Sequence, residues 1–518
     1  MSVVSRMKTL RAASAVALFV LAAGCGGGGG PADPTPPQPD QTRPARVLDL
    51  AQHAATATSV TVSWSLAGDD SLSGRAASYD VRYAEAPLTE ETWAAATPVA
   101  TTPQPHPNPA KRLVTITGLP AATTFHVGLK ATDDAGNVSA LSNVIAVQVG
   151  TMRTFYVRLD GTGDFPTLNQ AIAAAQPGDV VLVAAGRYTW TNQGDGDATQ
   201  GLFVVHRDQT DFTIRGESGA AATILDAQQH SRVLYVEGGT FGEGEARTWA
   251  GVTIEGFTFT NGRALGTPGE LGSPWAGAGI ALHLTDTLVR DCIFRGNEAR
   301  EGGAVWMGGQ GGSRLEDCLL EDNVAETGGG AFLVNSEPVM SVSGCTIRNN
   351  IASLAGGGLY ANNVGLELDT TLLAGNTAAD RGGGMYLAAL HAGSWLETCS
   401  VLDNASPVGS GIRLAYPMTV SLRSSLVAFN NGGAGLESVA SGTGSGAVVE
   451  AACVLRHGNA GGDALPFGAV DLGGNLVTDP LLCPDGRQPS PASPCLPGNR
   501  AGGDDCGLIG ALGAGCGG

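Results

Sequence analysis

The chain has 518 residues, of which 43% are hydrophobic, only 15% are charged and 77 are glycines. That length supplies material for two or three domains, and the glycine content suits a fold of tight turns better than an ordinary globular enzyme. A formal net charge of −19, with lysine only at Lys8, Lys111 and Lys130, argues against a nucleic-acid partner, because no basic run is available to neutralise phosphates.

At the N-terminus, Arg6, Lys8 and Arg11 precede an apolar run from Ala12 to Ala23, followed by Gly24-Cys25. This is the plan of an export signal, and the run is too short to span a bilayer comfortably. Leu21-Ala22-Ala23-Gly24-Cys25 resembles a bacterial lipoprotein cleavage box, with Ala22 where leucine is commonest. The resemblance implies a signal peptide over 1–24 and lipidation of Cys25. It also implies an exported chain held at the bacterial outer membrane or cell surface by its lipid alone. The other reading is an ordinary secretory signal with an incidental cysteine. Residues 25–43 run from five glycines into PADPTPPQPD, a flexible leash that stiffens into a proline-rich spacer.

Over 44–150 the pattern becomes short alternating strands separated by turns: SVTVSW, ASYDVRYA, RLVTITGL, TTFHVGLKATD and SNVIAVQV. Their spacing predicts a seven-strand sandwich. Trp64, the strand Tyr79 to Tyr83, Gly118-Leu119 and the segment Thr124 to Asn143 resemble a fibronectin type III domain. Asp133 to Asn137 (DDAGN) reads as a hairpin turn rather than a cation loop, since Asp, Gly and Asn supply turn geometry.

The segment 151–470 opens on YVRLDGTGDFPTLNQAIAAAQPGDVVLVAAGRY. Thr167 and Gln170 predict a capping box ahead of a helix from Leu168 to Ala175, which Pro177-Gly178 stops. From Asp291 to Asn430 one phrase then returns every 26 to 28 residues: DCIFRGN, DCLLEDN, GCTIRNN, TTLLAGN, TCSVLDN, SSLVAFN. Glycine clusters and short apolar strands follow, as in GGAVWM, GGGAFLV and GGGLYA. Such a period signals a solenoid, and it fits one coil of a parallel β-helix with equivalent residues stacked about 4.8 Å apart. Phe294, Leu320, Ile347, Leu373, Val401 and Val427 form an inward column; Asn297, Asn323, Asn350, Asn376, Asn404 and Asn430 form a second, hydrogen-bonded from coil to coil. The phrases resemble the GGA and FxxN repeats of polymorphic outer-membrane-protein adhesins and, more broadly, the right-handed β-helices of the pectin-lyase-like superfamily. The opening segment resembles the helix-capped start of those β-helices, pectinesterases included. Neither the catalytic phrases of pectinesterases nor the Gly-His-Gly of polygalacturonases is present. The expected architecture is all-β: a fibronectin type III sandwich, then a right-handed parallel β-helix with an N-terminal capping helix. The insertion Gly262 to Ala276, with Arg263, Glu270 and Trp275, is expected to bulge as a loop.

Alternation selects the candidate site residues. The columns Val305, Ala331, Leu359, Met385, Ile412 and Met307, Leu333, Ala361, Leu387, Leu414 are aliphatic and face the core. The column between them then faces outward: Trp306, Phe332, Tyr360 and Tyr386, closed by Arg413. Left open, it offers a π-ribbon for stacking on sugar rings; the alternative is rings that stiffen the sheet or are covered by a loop or the tail. Another outward column holds Arg290, Glu316, Ser343, Asp369, Glu397 and Arg423, expected to pair as Arg290–Glu316 and Glu397–Arg423. Within it Asp369 and Glu397 are stacked carboxylates near the spacing of paired glycosidase acids, the only catalytic candidates. Asp291 and Asp317 form a similar pair with the chemistry to hold Ca2+, although stacked acids on a solvated face are usually inert; no other cofactor is indicated. Cys292, Cys318, Cys345 and Cys399 read as internal thiols without zinc spacing, with a Cys318–Cys345 bond left open.

Residues 471–518 form a cysteine-rich cap, expected to close the last coil, in which Cys483, Cys495, Cys506 and Cys516 are expected to pair as two disulfides. The functional expectation is an envelope lipoprotein that binds an extracellular or cell-surface polysaccharide or protein along the helix flank without catalysis. The alternative is a polysaccharide lyase or glycoside hydrolase acting on an acidic polysaccharide. Nothing in the sequence fixes the oligomeric state.

Overall fold

The computed structural model describes residues 40–71, 76–100, 111–207, 209–238, 251–266, 275–309, 311–439, 446–500 and 506–516. The export segment with Cys25, the glycine run and Glu270 lie outside the described residues.

In the first unit, Ala51–Ala55, Ser59–Ser65 and Lys111–Thr117 make one antiparallel sheet. Thr97–Pro98, Ser78–Ala84, Thr124–Thr132 and Ile145–Gln148 make the other. Alternation along Ser59–Ser65 sends Val60, Val62 and Trp64 into the space between the sheets. The Trp64 ring meets Tyr79 edge-on at 5.3 Å, and the Tyr79 hydroxyl accepts the Ala67 N–H at 3.0 Å. Asp133 is a turn lock: its carboxylate accepts the Asn137 backbone N–H at 2.6 Å and the Asn137 side-chain amide at 2.9 Å.

The second unit is a parallel β-solenoid of about ten turns. Helix Leu168–Ala174 covers its first coil, burying Leu168, Ala171 and Ile172. Half of the expected capping box forms, since Thr167 accepts the Gln170 N–H while its own hydroxyl donates to Asp195 at 2.5 Å. Each regular coil then lays one strand on each of three faces, as Val305–Gly308, Arg314–Glu316 and Leu319–Glu321 do. We refer to these as the first flank, the second flank and the third face. A further strand such as Ile351–Ala355 bridges the third face back to the first flank.

Three turns per coil explain the repeated letters. Before each inward asparagine stands a residue in the left-handed region, among them Asp322, Asn349 and Asp403 with φ of 54–56°. At the glycine cluster, Gly302, Gly328, Gly356 and Gly382 have φ of 65–66°, and a Cβ on the following Gly357 would lie 2.4 Å from the Gly383 carbonyl oxygen. At the third turn the left-handed residues are Asp291, Asp317, Gly344, Thr370, Thr398 and Ser424, with φ between 44° and 62°. Asp291 and Asp317 thus hold a backbone conformation that Asp tolerates. Among the described residues no group of three or more His, Cys, Asp or Glu side chains is placed to hold a metal.

The next position repeats a small hydrogen-bond donor. Cys292, Cys318, Cys345 and Cys399 each point a buried thiol at the carbonyl two residues back, at 3.1–3.2 Å. Thr371 and Ser425 fill the same slot with hydroxyls at 2.8 and 2.6 Å. All four thiols are free, so the Cys318–Cys345 bond does not form. The asparagine ladder is continuous from Asn297 through Asn323, Asn350, Asn376, Asn404 and Asn430 to Asn459, each amide donating to the next at 2.8–3.0 Å. It ends on Asp463, whose carboxylate takes the last amide at 2.6 Å. Every buried amide is thus satisfied by its neighbour along the axis.

The C-terminal segment departs from the expected end cap. It folds back along the outside of the third face, where Cys495, Cys506 and Ile509 pack on Leu372, Leu402, Leu426 and Leu455. The Ala511 N–H donates to Ser400 Oγ at 2.9 Å, three coils in from the end. The disulfides are Cys453–Cys506 and Cys483–Cys516. Cys495 is therefore not a disulfide cysteine; it is a buried thiol in the apolar seam under the tail. Its place is taken by Cys453, whose Cα lies 5.5 Å from that of Cys506 and within reach of a bridge.

Candidate functional site

On the first flank, register carries Tyr235, Ala281, Trp306, Phe332, Tyr360, Tyr386 and Arg413 in one outward column. The aliphatic columns on either side lie in the main core, and the rings form separate clusters outside it. The rings do not present an open ribbon. Phe332 and Tyr360 stack at 4.7 Å and 1°, Tyr360 and Tyr386 at 5.0 Å and 9°, so neighbouring rings occupy both faces of Tyr360 and one face each of Phe332 and Tyr386. Trp306, Phe332 and Tyr386 are each only 7% exposed. Trp306 leaves the stack, tilting against His283 and donating from Nε1 to Glu301 at 3.3 Å.

Glu301 is a half-buried carboxylate that also takes a hydrogen bond from Trp275. Burial pushes its carboxyl above the usual range, against the two indole donors that lower it. Burial likewise pushes the Tyr360 phenol up to about 12, keeping it neutral. The basic groups beside the rings are committed: Arg381 to Asp380, with Nε to the carboxylate at 2.7 Å, and Arg413 to Glu437 at 2.5 Å.

The second flank is different. Its outward columns are Arg314, Ser341, Glu367, Trp395, Ser421, Glu450 and Arg290, Glu316, Ser343, Asp369, Glu397, Arg423. The expected ion pairs are replaced. Arg290 pairs with Glu255 one coil earlier, which Arg215 also contacts, so Glu316 is not its partner. Arg423 points its Nε at Ser421 Oγ, at 2.9 Å, rather than at Glu397. Asp369 and Glu397 are direct register partners, as expected. Glu397, but not Asp369, lines an open groove of about 350 Å³ together with Ser394, Trp395, Thr419, Ser421, Arg423 and Glu450. Trp395 is half-buried between Glu367 and Ser421 along the axis, and no ring among the described residues stacks on it. An indole face, two hydroxyls and a carboxylate–guanidinium rim meet in this groove.

Of the residues singled out from sequence, the structure makes Asp369 and Glu397 register partners, with Glu397 in the groove, and brings Phe332, Tyr360 and Tyr386 together in the stack. Trp395, Glu450, Glu301 and Arg381 were missed. Alternation about the inward Leu396 marks Trp395 as outward, but no repeat draws attention to it; nothing in the sequence signals the burial of Glu301.

Residues 44–148 match the fibronectin type III domain family. The structure of the chicken CNTN1 FN1-FN3 domains is 19% identical over 21% of this chain, with a TM-score of 0.16. The match spans about a third (32%) of that structure. The Family 28 exopolygalacturonase of Yersinia enterocolitica is 12% identical, covering 85% of this chain and 97% of that one, with a TM-score of 0.26. A pectate lyase from Pectobacterium carotovorum is 12% identical, covering 83% and 92%, with a TM-score of 0.18. Likenesses this distant carry no argument about activity; the solenoid rests on its own strand register. No curated protein matches the chain.

Proposed function

We propose that the protein is an exported, lipid-anchored binding protein that holds a polysaccharide on the second flank of its solenoid. The observation that carries this reading is Trp395, a solitary outward indole over an open groove rimmed by Glu397, Ser421, Arg423 and Glu450. Sugar rings offer apolar C–H faces to an indole and hydroxyls to a polar rim, the combination this groove provides. Retention of the full chain on immobilised polysaccharides tests it. Trp395→Ala is expected to abolish retention at a stability cost of about 1 kcal/mol, as for a half-buried side chain, so that the variant stays folded. Retention that ignores the substitution sinks the reading. Asp369 and Glu397 are register partners about 4.8 Å apart between backbones, and paired carboxylates are the groups that glycosidases use. The same incubation therefore includes a measurement of new reducing ends and unsaturated products, and products that disappear in Glu397→Gln would replace binding with hydrolysis or lyase chemistry.

Anchoring rests on the residues before the first described strand, where Cys25 closes the lipoprotein-like box. Cys25→Ser is expected to move the protein from the membrane to the soluble fraction, and unchanged membrane retention would remove the anchor.

A further inference from the structure

Resting on the reading of the Trp395 groove as a sugar site, we infer that its ligand carries amino sugars rather than uronic acids. Two carboxylates, Glu397 and Glu450, line the groove with Trp395. Two more, Glu367 and Asp369, are the register partners of Trp395 and Glu397 one coil back, on the same outward face and partly exposed. Against these four stands one guanidinium, that of Arg423, which is exposed and turned toward Ser421. None of the four carboxylates is in an ion pair among the described residues. Four carboxylates against one guanidinium leave a formal excess of three negative charges around the indole.

A sugar chain lying on Trp395 runs one to two strand spacings from these residues, comparable with the Debye length of about 8 Å at physiological ionic strength. A polyuronate brings one carboxylate per residue into that field and is repelled; a protonated amino sugar brings an ammonium and is attracted. The first flank offers no alternative basic platform, because Arg381 and Arg413 beside its rings are held by Asp380 and Glu437. Hydroxyls of Thr419 and Ser421 are available to either ligand, so charge and not hydrogen bonding discriminates.

The test is calorimetric titration of the full chain with oligomers of glucosamine, N-acetylglucosamine and galacturonic acid, at mildly acidic pH where the amines are protonated and carboxylates ionised, and at low and at high salt. Glucosamine oligomers are expected to bind at least about tenfold more tightly than galacturonate oligomers at low salt, with the N-acetylated chain between them and the gap closing as salt rises. Glu397→Gln combined with Glu450→Gln is expected to narrow that ratio. Galacturonate binding as tight as glucosamine binding, and lost in Trp395→Ala, would overturn the amino-sugar inference and leave the sugar site standing. If no oligomer binds, or binding is indifferent to Trp395→Ala, the site itself falls and the inference with it.

Discussion

The same coils build both flanks of the solenoid, yet one flank repeats its ring and the other does not. On the first flank, rings stand in consecutive coils at Phe332, Tyr360 and Tyr386, and each ring lies face to face with the next. On the second, Trp395 has Glu367 before it and Ser421 after it, and it lines a groove. Coil spacing near 4.8 Å is close to the separation of stacked rings, so an aromatic column in a β-solenoid consumes its own binding surface. A column of rings therefore closes on itself, whereas a single ring among small or charged neighbours keeps a surface that the proposed binding can use.

The largest effect expected from this contrast is at the centre of the stack. Tyr360→Ala removes a ring sandwiched on both sides, taking its packing and two aromatic pairs together. Denaturant titration is expected to show a loss of about 3 kcal/mol, the range of large-to-small changes at packed aromatic positions. Carbohydrate retention through Trp395 should survive at temperatures where the variant is folded. A loss below about 0.5 kcal/mol, coupled with lost retention, would reverse the assignment of the two flanks.

What was legible in the sequence follows from what repeats. The asparagines, the glycine cluster and the small donors at Cys292, Cys318, Cys345 and Cys399 recur because every coil imposes the same turn and the same buried carbonyl. The outward direction of the ring column was also legible, since alternation needs only one strand. That its faces would be closed was not, because closure depends on ring rotamers and spacing that letters do not carry. Trp395 was illegible for the opposite reason: it occurs once in its column, and a periodic reading passes over single events. The Arg290 pairing was misassigned because Glu255 lies one coil before the regular repeats begin. The tail was read as an end plug because Cys453 stands inside the loosening repeat rather than among the clustered terminal cysteines.

The sharpest test of the comparison has the smallest expected effect on stability. Ser421 follows Trp395 by one coil in the same outward column, as Tyr386 follows Tyr360. Ser421→Tyr would place a second ring at ladder spacing and turn the groove into the beginning of a stack. The new pair contributes on the order of 0.5–1.5 kcal/mol, and it forfeits the contact between Ser421 Oγ and Arg423 Nε. The net change is therefore expected to be a gain of less than about 1 kcal/mol in thermal or denaturant unfolding. Retention on polysaccharide should nevertheless be lost, because the face that held the sugar is now covered by protein. Stability and binding would then move in opposite directions at one position, which neither a folding defect nor a neutral surface change produces. If Ser421→Tyr retains polysaccharide as the parent does, the indole face is not what the ligand uses. The binding surface would then have to lie on the carboxylate rim of Glu397 and Glu450.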